Sequence, residues 1–191
     1  MHRIGQRMVF VWSLVALATA TCVPAQAQLD DADWQLLLPF SRVVDVVKWN
    51  GRIAGVHDAG GILLYDPAAS TFEVLDATDG LSSNLVTALA VDDDGRLWAG
   101  TADAGMMRIA ADFSVRQITS LQEQGRIRTV AVDGDFVYYA SSGGGGAIAG
   151  GFPDQVFAAD LGLPSDDVVT VAAHDGRAWF GTPAGVGFFD R

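Results

Sequence analysis

A glycine-marked hairpin recurs four times along this chain, at Gly51, Gly95, Gly134 and Gly176, with separations of 44, 39 and 42 residues. Two copies share a set of matched residues. VTALAVDDDGRLWAGTADAGMMRIAAD (86–112) and VVTVAAHDGRAWFGTPAGVGFFD (168–190) each run from a short apolar stretch through D-G-R to an apolar pair ending in Trp. Then come G-T, a short turn and a last apolar run. Gly95 matches Gly176, Arg96 matches Arg177, Trp98 matches Trp179, and Gly100-Thr101 matches Gly181-Thr182. VVDVVKWNGRIAGVHDAGGILLYD (43–66) and IRTVAVDGDFVYYASSGGGGAIAGG (127–151) are looser copies of the same pattern.

Each copy reads as a small antiparallel sheet. Asn50-Gly51, Asp94-Gly95, Asp133-Gly134 and Asp175-Gly176 supply the positive-φ residues that tight hairpins require. The flanking runs are rich in Val, Ile, Leu and aromatics, and are too short and too glycine-broken for helices. Alternation of apolar and polar residues is weak, as expected of a sheet covered on both faces. Sheets of several short strands repeating every forty-odd residues, each packed on its neighbours, define an all-β β-propeller. The expected strands are 42–48, 52–57, 61–66 and 71–76 in blade one, and 84–91, 96–101, 105–110 and 115–119 in blade two. Blade three takes 127–132, 135–140, 146–150 and 155–159, and blade four 168–173, 177–181 and 185–190. The repeating Trp98 and Trp179 are expected to pack between blades, since a catalytic residue need not recur once per repeat.

Residues 34–38, Trp-Gln-Leu-Leu-Leu, fall where an outer strand would complete the last blade and close a four-bladed ring. The alternative, preferred because the sequence stops at Phe188-Phe189-Asp190-Arg191 without a polar tail, is an incomplete arc of a larger ring.

The first 27 residues have the layout of a secretory signal peptide. His2, Arg3 and Arg7 precede the apolar run MVFVWSLVALA (8–18), and Ala25-Gln26-Ala27 forms a small-residue cleavage site. The apolar run is well short of the roughly 20 residues that span a bilayer. Export to the periplasm or cell surface follows, with no membrane insertion after cleavage and residues 28–191 forming the propeller. Cys22, the single cysteine, lies in this leader, so the cleaved chain has neither disulfide nor cysteine metal site. Thr19-Ala20-Thr21 before it suits lipid anchoring poorly. Cleavage removes two arginines and no acid, leaving ten basic residues against 23 acidic ones, a net charge of −13. Such a chain repels phosphate backbones, which excludes nucleic acid as an expected partner.

Little in the sequence carries chemistry. Asp92-Asp93-Asp94 lacks the alternating ligands and distal Glu of a calcium loop and reads as a solvated hairpin turn. His57 and His174 belong to no metal-ligand spacing. Ser141-Ser142-Gly143-Gly144-Gly145-Gly146 has neither the lysine nor the following helix of a phosphate cradle, and reads as a flexible loop between strands. No nucleophile elbow occurs. No metal, cofactor or catalytic set is therefore expected. In a propeller the second-to-third-strand turns (57–61, 102–105, 141–146, 182–185) and the blade-to-blade links (78–84, 161–167) gather on one face. A ligand would be met there, with His57, Asp58, Asp103 and Asp166 as the polar candidates.

GLSSNLVTALAVDDDGRLWAGT (80–101) and GLPSDDVVTVAAHDGRAWFGT (162–182) resemble the two-component regulator propeller repeat. The opening, DWQLLLPFSRVVDVV (33–47) with GILLYDPAASTFEVLDATDGLS (61–82), is similar to the N-terminal propeller of PorZ-like proteins of type IX secretion. The first resemblance implies an extracytoplasmic, non-catalytic binding or sensing module for an unidentified protein, small-molecule or glycan ligand. The second implies a structural part of a secretion or surface assembly, with a membrane complex as its partner. A polysaccharide-active propeller enzyme is a third expectation and would need paired carboxylates on the loop face.

Overall fold

The computed structural model describes residues 42–57 and 60–191. The expected leader, Cys22, the closing segment 34–38 and Asp58 lie outside them. Among the described residues fifteen strands form four separate antiparallel sheets in strict sequence order. β1 (Val43–Trp49), β2 (Arg52–His57), β3 (Ile62–Asp66) and β4 (Thr71–Leu75) make the first. β5 (Val86–Val91), β6 (Leu97–Thr101), β7 (Met106–Ile109) and β8 (Val115–Ile118) make the second. β9 (Ile127–Asp133), β10 (Phe136–Ser141), β11 (Gly144–Ala149) and β12 (Phe152–Phe157) make the third, and β13 (Thr170–His174), β14 (Arg177–Thr182) and β15 (Gly185–Asp190) the fourth. The first strands of successive sheets lie side by side, β1 against β5, β5 against β9 and β9 against β13. The described residues form a β-propeller arc that does not close into a ring.

Three apolar layers hold the blades together. Trp49, Ala54, Ile62 and Leu64 of blade one pack on Leu89, Leu97, Ala99 and Met107 of blade two. Trp98, Met106 and Ile118 of blade two pack on Val137, Tyr139 and Ile148 of blade three. Tyr138, Ala140 and Ala147 of blade three pack on Val171, Ala178 and Phe180 of blade four. Burying large apolar side chains contributes about 1.5–3 kcal/mol each, so these layers, rather than the hairpins, set the blade spacing.

The register shows how the repeat is built. Ala54, Trp98, Tyr138 and Trp179 are equivalent, each three residues before the end of its second strand. Their side chains point forward, toward the next blade. Ala99, Tyr139 and Phe180, one residue later, point back, and Gly55 holds the same register position in blade one. In blades one to three the first strand carries a bulge at the same place, where Val44, Thr87 and Arg128 have no partner across the ladder. From this bulge Thr87 Oγ1 donates to Ile127 O at 2.6 Å and Arg128 donates to Val168 O at 3.0 Å. Side chains one residue further on bind amides of the next blade: Asp45 Oδ2 accepts from Leu89 N at 2.8 Å, and Thr129 Oγ1 from Val171 N at 3.0 Å. The bulge thus aims polar groups at the neighbouring strand, a recurrent use of bulges.

Several expectations need correction. Trp98 is 2% exposed, but Trp179 is 37% exposed. The two occupy one position, yet only Trp98 has a blade in front of it. Asn50-Gly51 and Asp175-Gly176 form the anticipated turns, with φ of 49°, 77°, 51° and 77°. Blade two instead has a five-residue loop, since Val91 pairs with Leu97. In blade three Asp133 is still in the strand, opposite Phe136, and the turn is Gly134-Asp135. The glycine run is not a loop. Ser141 ends β10 and Gly144 starts β11, leaving Ser142-Gly143 as the turn. Packing explains the glycines: a Cβ on Gly145 would lie 2.9 Å from the Phe180 ring, and one on Gly146 2.5 Å from the Tyr139 hydroxyl.

Candidate functional site

The links between blades build the loop face. Gly80 and Gly162, with φ of 102° and 109°, end short 3-10 turns at Ala77–Asp79 and Ala159–Leu161. Ser83 and Ser165 each accept an amide two residues on, from Leu85 and Asp167. Asn84 and Asp166 each reach back seven residues, accepting from Ala77 N at 2.7 Å and Ala159 N at 2.6 Å. The G-L-S/P-S-N/D string is therefore a turn-building unit. The strand ends opposite it are built alike. Thr101, Ser141 and Thr182 each donate to the carbonyl of the glycine that opens the next strand or precedes it, Gly105, Gly144 and Gly185, at 2.8 Å.

Between blades one and two these segments enclose a cleft of about 220 Å³. Its walls come from the end of β2 at His57, the link at Asn84, the bulge residues Val44 and Thr87, and two arginines, Arg42 and Arg126. The backbone of Arg126 is fixed by Ser142, whose hydroxyl accepts from Arg126 N at 3.1 Å and whose amide donates to Arg126 O at 3.2 Å. No carboxylate stands among the described residues of the wall, in a chain of net charge −11. The cleft therefore offers local positive charge and hydrogen-bond donors over an apolar floor. Its volume is below the ~300–1,000 Å³ usual for drug-sized ligands and suits a small molecule or the end group of a larger one.

Of the sequence candidates, His57 is buried in this wall. Asp103 is exposed at the tip of the β6–β7 turn and does not line the cleft. Asp166 is exposed in the link before blade four, where its carboxylate holds the Ala159 amide. The structure thus brings His57 together with Arg42 and Arg126, two residues the sequence did not single out. Their only sequence signal is position, since each immediately precedes a first strand.

Asp92, read from the sequence as part of a solvated turn, is buried instead. It is 6% exposed and accepts four hydrogen bonds, from Asp94 N, Arg96 N, Arg96 Nε and Trp98 Nε1, the last two at 2.7 Å. Burial pushes its carboxyl up. The Trp98 indole, the Arg96 amide and the Arg96 guanidinium outweigh that and hold it below the ordinary carboxylate value. Of the acidic run, Asp92 is a structural anchor and Asp94 pairs with Arg96. Among the described residues no group of three or more His, Cys, Asp or Glu side chains converges as metal ligands would. No helix among them is long and apolar enough to cross a membrane.

These features define a class, a propeller arc whose loop face carries a small basic cleft. Residues 80–103 match the family model described as the two component regulator propeller, in agreement with the resemblance read from the sequence. The arc superposes on the extracellular domain of BT3049 from B. thetaiotaomicron, described as a hybrid two component system, with TM-score 0.65 and 22% identity. That match covers 75% of this chain and 21% of the other. The extracellular domain of BT4673 from the same organism, similarly described, matches with TM-score 0.66 and 17% identity, over 78% of this chain and 22% of the other. The chain thus spans about a fifth of the length of these domains. PorZ, a surface component of the type-IX secretion system of Porphyromonas gingivalis, aligns at 16% identity over 77% of this chain and 31% of its own, with TM-score 0.46. No curated protein matches the chain.

Proposed function

We propose that this chain is a non-catalytic binding or sensing propeller module acting outside the cytoplasm, and that its ligand is a small molecule or terminal group with an anionic oxygen, held between blades one and two. The cleft lined by Arg42, His57 and Arg126 carries the reading, because two guanidinium groups with no carboxylate among the described residues of the wall are the reverse of the chain's overall charge. Attraction in a partly screened cleft favours anions and weakens with salt. The fold match to extracellular domains of two component systems and the leader-like opening of the sequence support the location. Function in propellers resides in such grafted sites rather than in the fold.

Calorimetric titration of the protein with a hexuronate and with the corresponding neutral hexose tests this. The acid is expected to bind, the neutral sugar to bind at least tenfold more weakly, and Arg42→Ala with Arg126→Ala to abolish the difference. Equal binding of the two sugars, or binding of neither, refutes the assignment of an anion site.

A further inference from the structure

Two arginines of blade two stand directly opposite each other. The β7–β8 ladder pairs Arg108 with Arg116, and the β6–β7 ladder sets Trp98 beside Arg108. The three side chains form one row on the forward face, two residues from Met106 and Ile118 in the layer shared with blade three. Like charges facing each other across a ladder destabilise a sheet. The repeat does not require them. The same row carries Leu64 and Glu73 in blade one, and Ala147 and Gln155 in blade three.

Nor does the structure neutralise them. Among the described residues neither guanidinium forms an ion pair or a hydrogen bond. Asp92 is the acid whose charge reaches Arg108, but its carboxylate is taken up by the Asp94 and Arg96 amides, the Arg96 guanidinium and the Trp98 indole. Arg96 in turn is shared between Asp92 and Asp94. Burial, joined by the charges of Arg96 and Arg116, pulls the Arg108 guanidinium below its ordinary value. Both free groups converge on one spot of blade three. A Cβ on Gly151, in the turn between β11 and β12, would lie 2.9 Å from Arg108 Nη1 and 3.7 Å from Arg116 Nη1. Aromatic rings hold the two guanidinium planes, Arg108 over Trp98 at 5.9 Å and Arg116 over the exposed Phe152 at 4.7 Å. Such stacking occupies the face of a guanidinium and leaves its in-plane N–H donors available.

We propose that Arg108 and Arg116 form a binding site for a tetrahedral oxyanion, a phosphate or sulfate group taken free or as an ester, at the seam between the outer strands of blades two and three. Two forks of N–H donors match a group with three or four oxygens, whereas one carboxylate matches one fork. The exposed Phe152 ring beside Arg116 offers apolar surface to the remainder of an ester. An anion here relieves the repulsion across the ladder, so its binding stabilises the fold. The site lies at the rim of the first-to-second and third-to-fourth-strand turns, opposite the loop face, and shares no residue with the cleft. It therefore stands independently of the ligand reading given for that cleft.

Thermal unfolding of the full chain in low-salt chloride buffer, titrated with inorganic phosphate, inorganic sulfate, glucose 6-phosphate or acetate, tests the site. At about ten times its Kd, phosphate or sulfate should raise the Tm by about 3–6 °C, and acetate at equal ionic strength should leave it in place. Arg116 is exposed, so Arg116→Gln should keep the wild-type circular dichroism spectrum and lose the shift. Arg108→Gln should lose it too, while Arg42→Ala with Arg126→Ala should retain it. A larger shift with glucose 6-phosphate than with phosphate identifies an ester as the ligand, and an equal one the free ion. Absence of a shift with all three oxyanions overturns the proposal, as does an equal shift with acetate. A shift that survives Arg116→Gln, or one lost instead with the Arg42 and Arg126 substitutions, places the anion elsewhere and overturns it as well.

Discussion

Replacing Asp92 with Ala tests the account of how blade two is held. The carboxylate is buried and joins the five-residue hairpin loop to the tryptophan in the layer between blades two and three. Removing it strands the indole N–H of Trp98, a residue 2% exposed, at a cost of about 1–3 kcal/mol for an orphaned buried donor. The Arg96 amide and guanidinium lose their partner also, adding about 1 kcal/mol, because Arg96 keeps Asp94 and reaches water. Relief of the carboxylate's own burial offsets part of this. The net loss is about 3 kcal/mol, or on the order of 6–12 °C in Tm for a domain of this size. Asp92→Asn keeps an acceptor and should lose about half as much. The two losses differ in pH behaviour. A carboxyl held below its unfolded value stabilises fully above about pH 4, and that stabilisation fades as pH falls through the folded pKa. The gap between wild type and Asp92→Asn should therefore narrow on acidification from pH 6 to pH 3. Urea unfolding across that range is the assay. A loss below about 1 kcal/mol for Asp92→Ala at pH 7, or a gap to Asp92→Asn that widens toward pH 3, refutes the anchoring role.

Three further substitutions probe other parts of the arc. Gly146→Ala should destabilise by about 1–3 kcal/mol in urea, since the new methyl lands 2.5 Å from the Tyr139 hydroxyl and 2.6 Å from Gln155 O. Tyr139→Phe should be neutral or stabilising by up to about 1 kcal/mol, because burial pushes the phenol up to about 12 and its hydroxyl finds no partner among the described residues. A clear loss of stability on thermal unfolding would show that the hydroxyl is bonded. Asp166→Asn should leave hydrogen exchange at residues 158–163 unchanged, as Asn84 does the same work in the first link, whereas Asp166→Ala should speed it several-fold.

What the sequence determined by itself is the blade. Turn glycines at a near-constant spacing, short β-rich runs between them and the repeated G-L-S/P-S-N/D string are local signals, so four sheets, their order and nearly all their strands follow from composition and period. Where local chemistry has two solutions, contacts distant in sequence decided. The glycine run became the hairpin of β10 and β11 because the Phe180 ring and Tyr139 leave no room for side chains there. Asp92, apparently one more solvated loop acid, became a buried anchor because Trp98 points its N–H at it. Trp98 and Trp179 share one motif and one register, yet one is enclosed and the other open. Burial belongs to the space between two sheets and is set only when a neighbouring blade is in place. The cleft likewise draws Arg42, His57 and Arg126 from three segments up to 84 residues apart, a proximity created by the stacking of blades rather than by any motif.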